Sequence, residues 1–283
     1  MTSERVWFIT GVSAGLGRAL AEVVLEAGER VVGTVRQAEQ VSAFEALKPG
    51  ASAALVMDVR EAEQVNAAVR GAIERFGRID VLVNNSGHGM LGAIEEVSDA
   101  EARALFDVNV FGVLNVLRAA LPVMRAQRSG FVINMSSQGG VRSFPGSGHY
   151  CASKHALEAI SDSLAMELAD SGVNVLIVEP GPFRTEFAGR SMVVSEQVIE
   201  DYASTSGMRR ATLKNVDGKQ KGDPVRAARA ILQAVNAPQP PRRLALGADA
   251  LSVMREKVGQ MQKDWETWEE VSLKADYPPE ELD

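Results

Sequence analysis

The chain has 283 residues, 46% hydrophobic and 24% charged, which is ordinary globular composition and excludes a disordered or fibrous protein. A net charge of −7 leaves no basic surplus to neutralise phosphates, which argues against nucleic acid as a main partner. The single cysteine, Cys151, excludes an internal disulfide framework and suits a reducing compartment.

The start, MTSERVWFIT, runs straight into a strand-like segment with no basic region and long apolar core of a signal peptide. No apolar run reaches the roughly 20 residues of a membrane span, so no membrane partner is expected and the expected location is the cytoplasm. Residues 6–10, 31–35, 53–57, 81–84, 131–135 and 173–178 are short and apolar nearly throughout. That is the pattern of parallel strands buried on both faces. Helical patterns at 17–27, 61–76, 99–125 and 150–170 lie between them. Strand–helix alternation predicts an α/β fold, a doubly wound parallel sheet in three layers, as one domain over residues 1–247. RLALG at 243–247 is a candidate seventh strand.

The first strand ends in TGVSAGLG, with Gly11, Gly15 and Gly17 leading into a helix. Small residues let the backbone approach a pyrophosphate, and a helix N-terminus supplies N–H donors and positive dipole. The spacing is G-x3-G-x-G, not the general G-x-G-x-x-G. The second strand ends at Val35-Arg36, where dinucleotide sites often carry an acid for the ribose 2′-OH. An arginine there suits a 2′-phosphate instead; the bland reading is a surface arginine at a strand end. Asp58-Val59 and Asn85-Ser86-Gly87 stand at further strand ends, where ligands bind in such sheets. Asp58 is a candidate adenine contact and the 84–87 turn a candidate nucleotide wall, while Asp80 reads as a local turn cap.

Residues 182–222 lack strand character and predict a functional lid or substrate loop. Within and before it, Phe144, Phe183, Phe187, Met192 and Val193 suggest a hydrophobic ketone, aldehyde or secondary alcohol as substrate. Residues 248–283 predict a helical extension. Its seam, Leu251, Met254, Val258, Met261, Trp265 and Trp268, recurs in steps of three and four. Packing on the domain's own body is the favoured reading of that seam; a subunit or substrate contact is the other.

YCASK, at 150–154, sets a phenol and an amine four residues apart, on one helical face. Free tyrosine and lysine titrate near 10 and 10.4, and a neighbouring cation lowers a phenol's pKa. Tyr150 and Lys154 are therefore a candidate proton donor and its tuner. His88, His149 and His155 lack a metal-ligand pattern, so no metal is expected.

With Asn109 in DVNVFG, the serines of INMSSQGG and the PGPFRT segment, these motifs resemble the short-chain dehydrogenase/reductase superfamily, in its YxxxK subgroup. Order and spacing match over residues 1 to about 190, apart from NNSG where NNAG is usual. The resemblance implies a nicotinamide-dependent oxidoreductase interconverting carbonyl and alcohol, and Arg36 after Val35 favours NADP(H), with NAD(H) the less favoured cofactor. It implies Tyr150 as proton donor/acceptor, Lys154 as its tuner and a nicotinamide-ribose contact, and Ser137, thirteen residues before the tyrosine, as carbonyl ligand. Asn109 would hold a water linking Lys154 to solvent, and Thr185 would contact the carboxamide. The implied cofactor contacts are Gly11, Ser13, Gly15, Leu16, Gly17, Arg36, Asp58, Val59, Asn85, Ser86, Gly87, Asn109, Tyr150, Lys154, Pro180, Gly181, Phe183 and Thr185. A homodimer or homotetramer is also implied. The alternative is a dinucleotide-sensing regulator of the same fold, although such proteins tend to lose the tyrosine or lysine.

Overall fold

Strands buried on both faces serve two cores, and β1 (Val6–Ile9) shows how. Trp7 and Ile9 enter one core while Val6 and Phe8 enter the other, as a period of two requires. The computed structural model describes residues 4–278; the first three residues of the expected body and the last five of the expected extension lie outside them.

The chain continues through α1 (Gly15–Glu26), β2 (Arg30–Val35), α2 (Gln40–Glu45), β3 (Ser52–Val56), α3 (Ala62–Phe76), β4 (Val81–Asn84) and β5 (Gly89–Leu91). Next come α4 (Asp99–Phe106), α5 (Gly112–Gln127), β6 (Gly130–Met135), α6 (Gly148–Glu167), β7 (Val173–Pro180) and β8 (Met192–Val194). The described chain ends with α7 (Met208–Val216), α8 (Pro224–Val235), β9 (Arg243–Leu246) and α9 (Ala248–Leu273). Seven strands form one parallel sheet in the order β3-β2-β1-β4-β6-β7-β9. Residues 243–246 are thus the seventh strand. Helices α1 and α8 pack on one face; α3, α5 and α6 pack on the other. Strand order reverses between β1 and β4, so the crevice at their carboxyl ends is the place for a ligand.

Four expectations are corrected. Residues 182–222 are not without regular structure. They contain β8, which pairs in parallel with β5 outside the main sheet, and α7. A three-residue strand carries too little alternation to be read from sequence. The helix expected at 99–125 is two helices joined by one π-helical turn, Asp107–Phe111. Its next residue, Gly112, lies so close to Val59 that an added Cβ would stand 2.6 Å from that side chain. Residues 99–127 also contain an 18-residue window of mean hydropathy 1.5, so one segment is long and apolar enough to cross a membrane by composition. Here Val113, Val116, Leu117, Ala120 and Met124 are core residues. Finally, α9 does not pack along the body. Ala250 is its one buried residue among those described, and Trp265 and Trp268 are 63% and 62% exposed. A 26-residue helix runs about 39 Å, longer than the strands it starts beside. It touches the body near its start, where Glu256 pairs with Arg142.

Candidate active site

The glycine turn forms an anion cradle. Gly11 and Gly15 have φ of +72° and +66°, a region L side chains rarely adopt. Ala14 at the start of α1 gives no side-chain cap, so the first N–H groups of the helix are left for a ligand. An added Cβ on Gly15 would find nothing closer than 3.8 Å, so the space before the turn is open. Gly17 has a different task. A Cβ there would stand 2.3 Å from Asn85 Nδ2 and 2.5 Å from Gly11 O. Asn85 Nδ2 donates to Thr10 O and Gly11 O, both at 2.9 Å, and Thr10 Oγ1 accepts from the N–H groups of Asn85 and Ser86. The NNSG turn is stitched to the cradle from behind.

A cleft of about 1020 Å³ runs from this cradle to Tyr150. It is bordered by Gly11, Ser13, Gly15, Leu16, Arg36, Asp58 and Val59. Asn85, Ser86, Gly87, Ser137, Tyr150, Lys154, Pro180, Gly181, Phe183 and Thr185 also border it. Of the expected site residues, Gly17 and Asn109 lie behind the walls. The donors, open cradle and crevice position fit a nicotinamide dinucleotide.

At the far rim, sequence reasoning missed Arg60. Its side chain holds Asp58 through Nε at 3.0 Å and Nη2 at 2.6 Å, and its backbone N–H donates to Asp58 Oδ1 at 3.0 Å. The Arg60 bond, with a smaller contribution from Arg36, holds the Asp58 carboxyl below its usual range. Arg36 borders the cleft and is exposed.

At the other end, α6 carries Tyr150 and Lys154 on one face. Lys154 is 6% exposed, and its Nζ donates to Met135 O at 2.8 Å. Asn109, fully buried in the π turn, accepts from His88 N–H at 3.0 Å and donates to His88 O and Ser153 Oγ. An added Cβ on Gly87 would stand 3.0 Å from Asn109 Oδ1 and 3.6 Å from Lys154 Nζ, so the two groups flank one spot. Ser137 opens a short turn by accepting from Gly139 N–H at 3.0 Å.

The expected lowering of the tyrosine pKa is not found. Burial pushes the Tyr150 phenol up to about 12, against a hydrogen bond with Ser137 that pulls it down. Burial also draws Lys154 down to about 8, opposed by the charge of Glu158 one turn along α6. Glu158 and Glu179 are buried together, and burial raises both carboxyls. Arg243 at the start of β9 pairs with Glu158, Glu179 and Asp162. No local motif announces this cluster, because its members come from three distant elements.

Phe144, Phe187, Met192 and Val193 also border the cleft, so the apolar residues singled out in the sequence do meet. The two ends of the 182–222 segment are clasped. Phe183 bridges to Gly222, and Arg184 N–H donates to Gly222 O at 2.8 Å. Further along, Arg210 reaches the buried Glu96 carboxylate. Burial would raise that carboxyl, but bonds from Arg210 and the N–H groups of Ile199 and Ala93 outweigh it and hold it at about 2. Among the described residues no group of three or more His, Cys, Asp or Glu is placed to hold a metal ion.

Residues 5–192 match the family model described as short chain dehydrogenase. An oxidoreductase of Botryotinia fuckeliana is 36% identical over 275 residues, covering 95% of this chain and 98% of that protein. A crystal structure of a short-chain dehydrogenase from Streptomyces avermitilis superposes with a TM-score of 0.91 at 41% identity, covering 98% of this chain and all of that one. A short chain dehydrogenase from Burkholderia cenocepacia, solved with NADP, has a TM-score of 0.74 at 28% identity, covering 93% and 97% of the two chains. Similar structures hold either NAD or NADP.

Proposed function

The chain belongs to the short-chain dehydrogenase family and is an NAD(P)-dependent oxidoreductase, and on that premise we propose that it interconverts an apolar carbonyl compound and its alcohol with NADP(H). One observation carries the reading: Tyr150, Lys154 and Ser137 border the same cleft as the anion cradle. The bound dinucleotide supplies or accepts the hydride. The cradle and the N-terminus of α1 would hold its pyrophosphate, and the 180–185 turn would lie along its nicotinamide end.

Tyr150 gives its hydroxyl proton to the nascent alkoxide in the reducing direction. A phenol at about 12 keeps that proton at neutral pH, so the donor is loaded before the substrate arrives. Ser137 donates to the carbonyl oxygen, a contribution whose loss typically lowers rate by about 10²–10³. Lys154, mostly charged at pH 7 with a pKa of about 8, favours the phenolate left behind. Asn109 Oδ1 keeps a second lone pair on the side facing Lys154, where a water would connect the lysine to solvent. Arg36 selects the 2′-phosphate. The expected site is cytoplasmic. The assembly is a homodimer or homotetramer, supported by Phe111 and Met166, 53% and 65% exposed on the helices at 107–127 and 148–167.

The test is NADPH consumption across a panel of apolar ketones and aldehydes, with Tyr150→Phe alongside. Turnover that disappears in the variant supports the reading. NADPH binding with no turnover of any carbonyl would instead leave a dinucleotide sensor.

A further inference from the structure

Arg209 stands at the start of α7, on the substrate side of the cleft. Its guanidinium lies over the Phe144 ring, 5.1 Å from the centroid. Its Nε is closed to solvent and has no hydrogen-bond partner among the described residues. No carboxylate among the described residues acts on its charge. Burial draws its pKa down, opposed by Cys151, the residue after Tyr150. A half-buried cation whose enclosed Nε has no partner carries a desolvation cost. The face of Phe144 offsets part of that cost but offers no lone pair to the guanidinium N–H groups.

The surroundings sharpen the point. The neighbouring Arg210 has its carboxylate, Glu96, and the other loop arginine of the cleft, Arg190, has Glu186. Arg36 and Arg60 border the opposite, adenosine end. Gln220 lines the same cleft with a buried, unpartnered side-chain oxygen, and a half-turn of its amide presents two N–H donors instead. Phe144, Phe187, Met192, Val193, Leu213 and Val216 give the cleft an apolar stretch, among polar residues that include the paired Glu186 and Arg190. An apolar stretch of wall with one unpaired guanidinium describes the complement of an amphiphile.

We propose that Arg209 anchors a carboxylate carried by the substrate, so that the natural substrate is an apolar keto acid or hydroxy acid rather than a neutral ketone. The inference rests on the oxidoreductase reading only for where the reacting carbonyl lies, beside Tyr150. The charge-assisted pair would fix the substrate's direction in the cleft, with its apolar part along Phe187 and Met192.

The experiment is calorimetric titration of decanoate and of methyl decanoate into the protein saturated with NADPH, which covers the phosphate cradle. The acid is expected to bind at least tenfold tighter than the ester, and to lose that advantage as salt rises. Arg209→Met keeps an apolar stem and should bring the two ligands within about twofold; Arg209→Lys should keep part of the preference. Thermal unfolding and NADPH affinity report whether the variants are folded. If neither is, the acid-to-ester ratio of the natural protein and its salt dependence decide. Equal affinity for acid and ester, no binding of decanoate at millimolar concentration, or a preference unchanged in Arg209→Met would each overturn the proposal. Failure to bind NADPH would sink the cofactor reading separately, and the titration would then be run on the protein alone with the same outcomes.

Discussion

The rings of Tyr150 and Phe187 lie 5.7 Å apart with 55° between their planes. One belongs to the helix that carries the candidate acid. The other belongs to the segment clasped at Phe183 and Gly222. The wall of the site is therefore borne on a segment clasped at its ends and tied in its middle by β8 and by the bonds of Ile199 and Arg210 to Glu96.

That arrangement predicts uneven hydrogen exchange across residues 182–222. Amides at the Phe183–Gly222 clasp, in β8 and at Ser195 and Ile199 should be protected without ligand, while the remaining amides between β8 and α7 should exchange faster and slow when NADP(H) and substrate analogue are added. Glu96→Gln should speed exchange in α7 by removing the carboxylate that Arg210 holds. The carboxyl's folded pKa is depressed to about 2 from 4.5, so its contribution is present above pH 4.5 and lost as pH falls towards 2. Strong, ligand-independent protection throughout the segment would defeat the lid.

Tyr150→Phe should lower turnover by orders of magnitude while NADPH affinity stays within a few fold. The ring still packs against Phe187; only the transferable proton is gone. A variant retaining more than a small fraction of activity would remove Tyr150 from the role of acid.

Lys154 predicts a pH limb. Its folded pKa, about 8, lies below the 10.5 of the free side chain, so charge is lost in the folded protein as pH rises through 8. NADPH affinity and the rate of carbonyl reduction should fall across that point, while Tyr150, at about 12, keeps its proton. The unfolded chain binds the lysine proton more tightly between pH 8 and 10.5, so stability from this group rises across the same window. Lys154→Met should bind NADPH more weakly and without the limb. Affinity of the natural protein that is flat from pH 7 to 9.5 would count against a charged Lys154 in cofactor binding.

How much of this was legible in the sequence depends on how local the chemistry is. The cradle and the Tyr150–Lys154 pair are written within single turns of chain, where a strand end or a helical step of four fixes the geometry. Each strand of the main sheet was visible because two-sided burial leaves few polar positions, whereas the three-residue strands β5 and β8 were not. By contrast, Arg60 neutralises an acid two residues away, but only the turned loop brings the groups together. Arg209, Gln220, Glu158, Glu179 and Arg243 gain their meaning from burial and from partners tens of residues off. The exposed seam of α9 misled because helical periodicity reports an apolar face without saying what covers it.

Cofactor choice is the most exposed of the proposals. Arg36 stands at the cleft rim just past β2, and the neighbouring cleft-lining carboxylate, Asp58, is held by Arg60. That pairing weakens the repulsion Asp58 would exert on a 2′-phosphate. A guanidinium binds phosphate through parallel charge-assisted hydrogen bonds, each contributing about 1.5–3 kcal/mol. Because about 1.4 kcal/mol is a factor of ten, NADP(H) should be preferred over NAD(H) by about one to two decades. The preference should weaken as salt rises, since the rim is solvated. Val35 is 3% exposed in the core, so an acid placed there would be a buried charge; Arg36→Asp is the cleaner reversal and should favour NAD(H). Arg60→Ala should act in the same direction more weakly, by freeing the Asp58 carboxylate to repel the phosphate. Equal affinity of the natural protein for NADH and NADPH at low salt would refute the assignment and make Arg36 an ordinary surface residue.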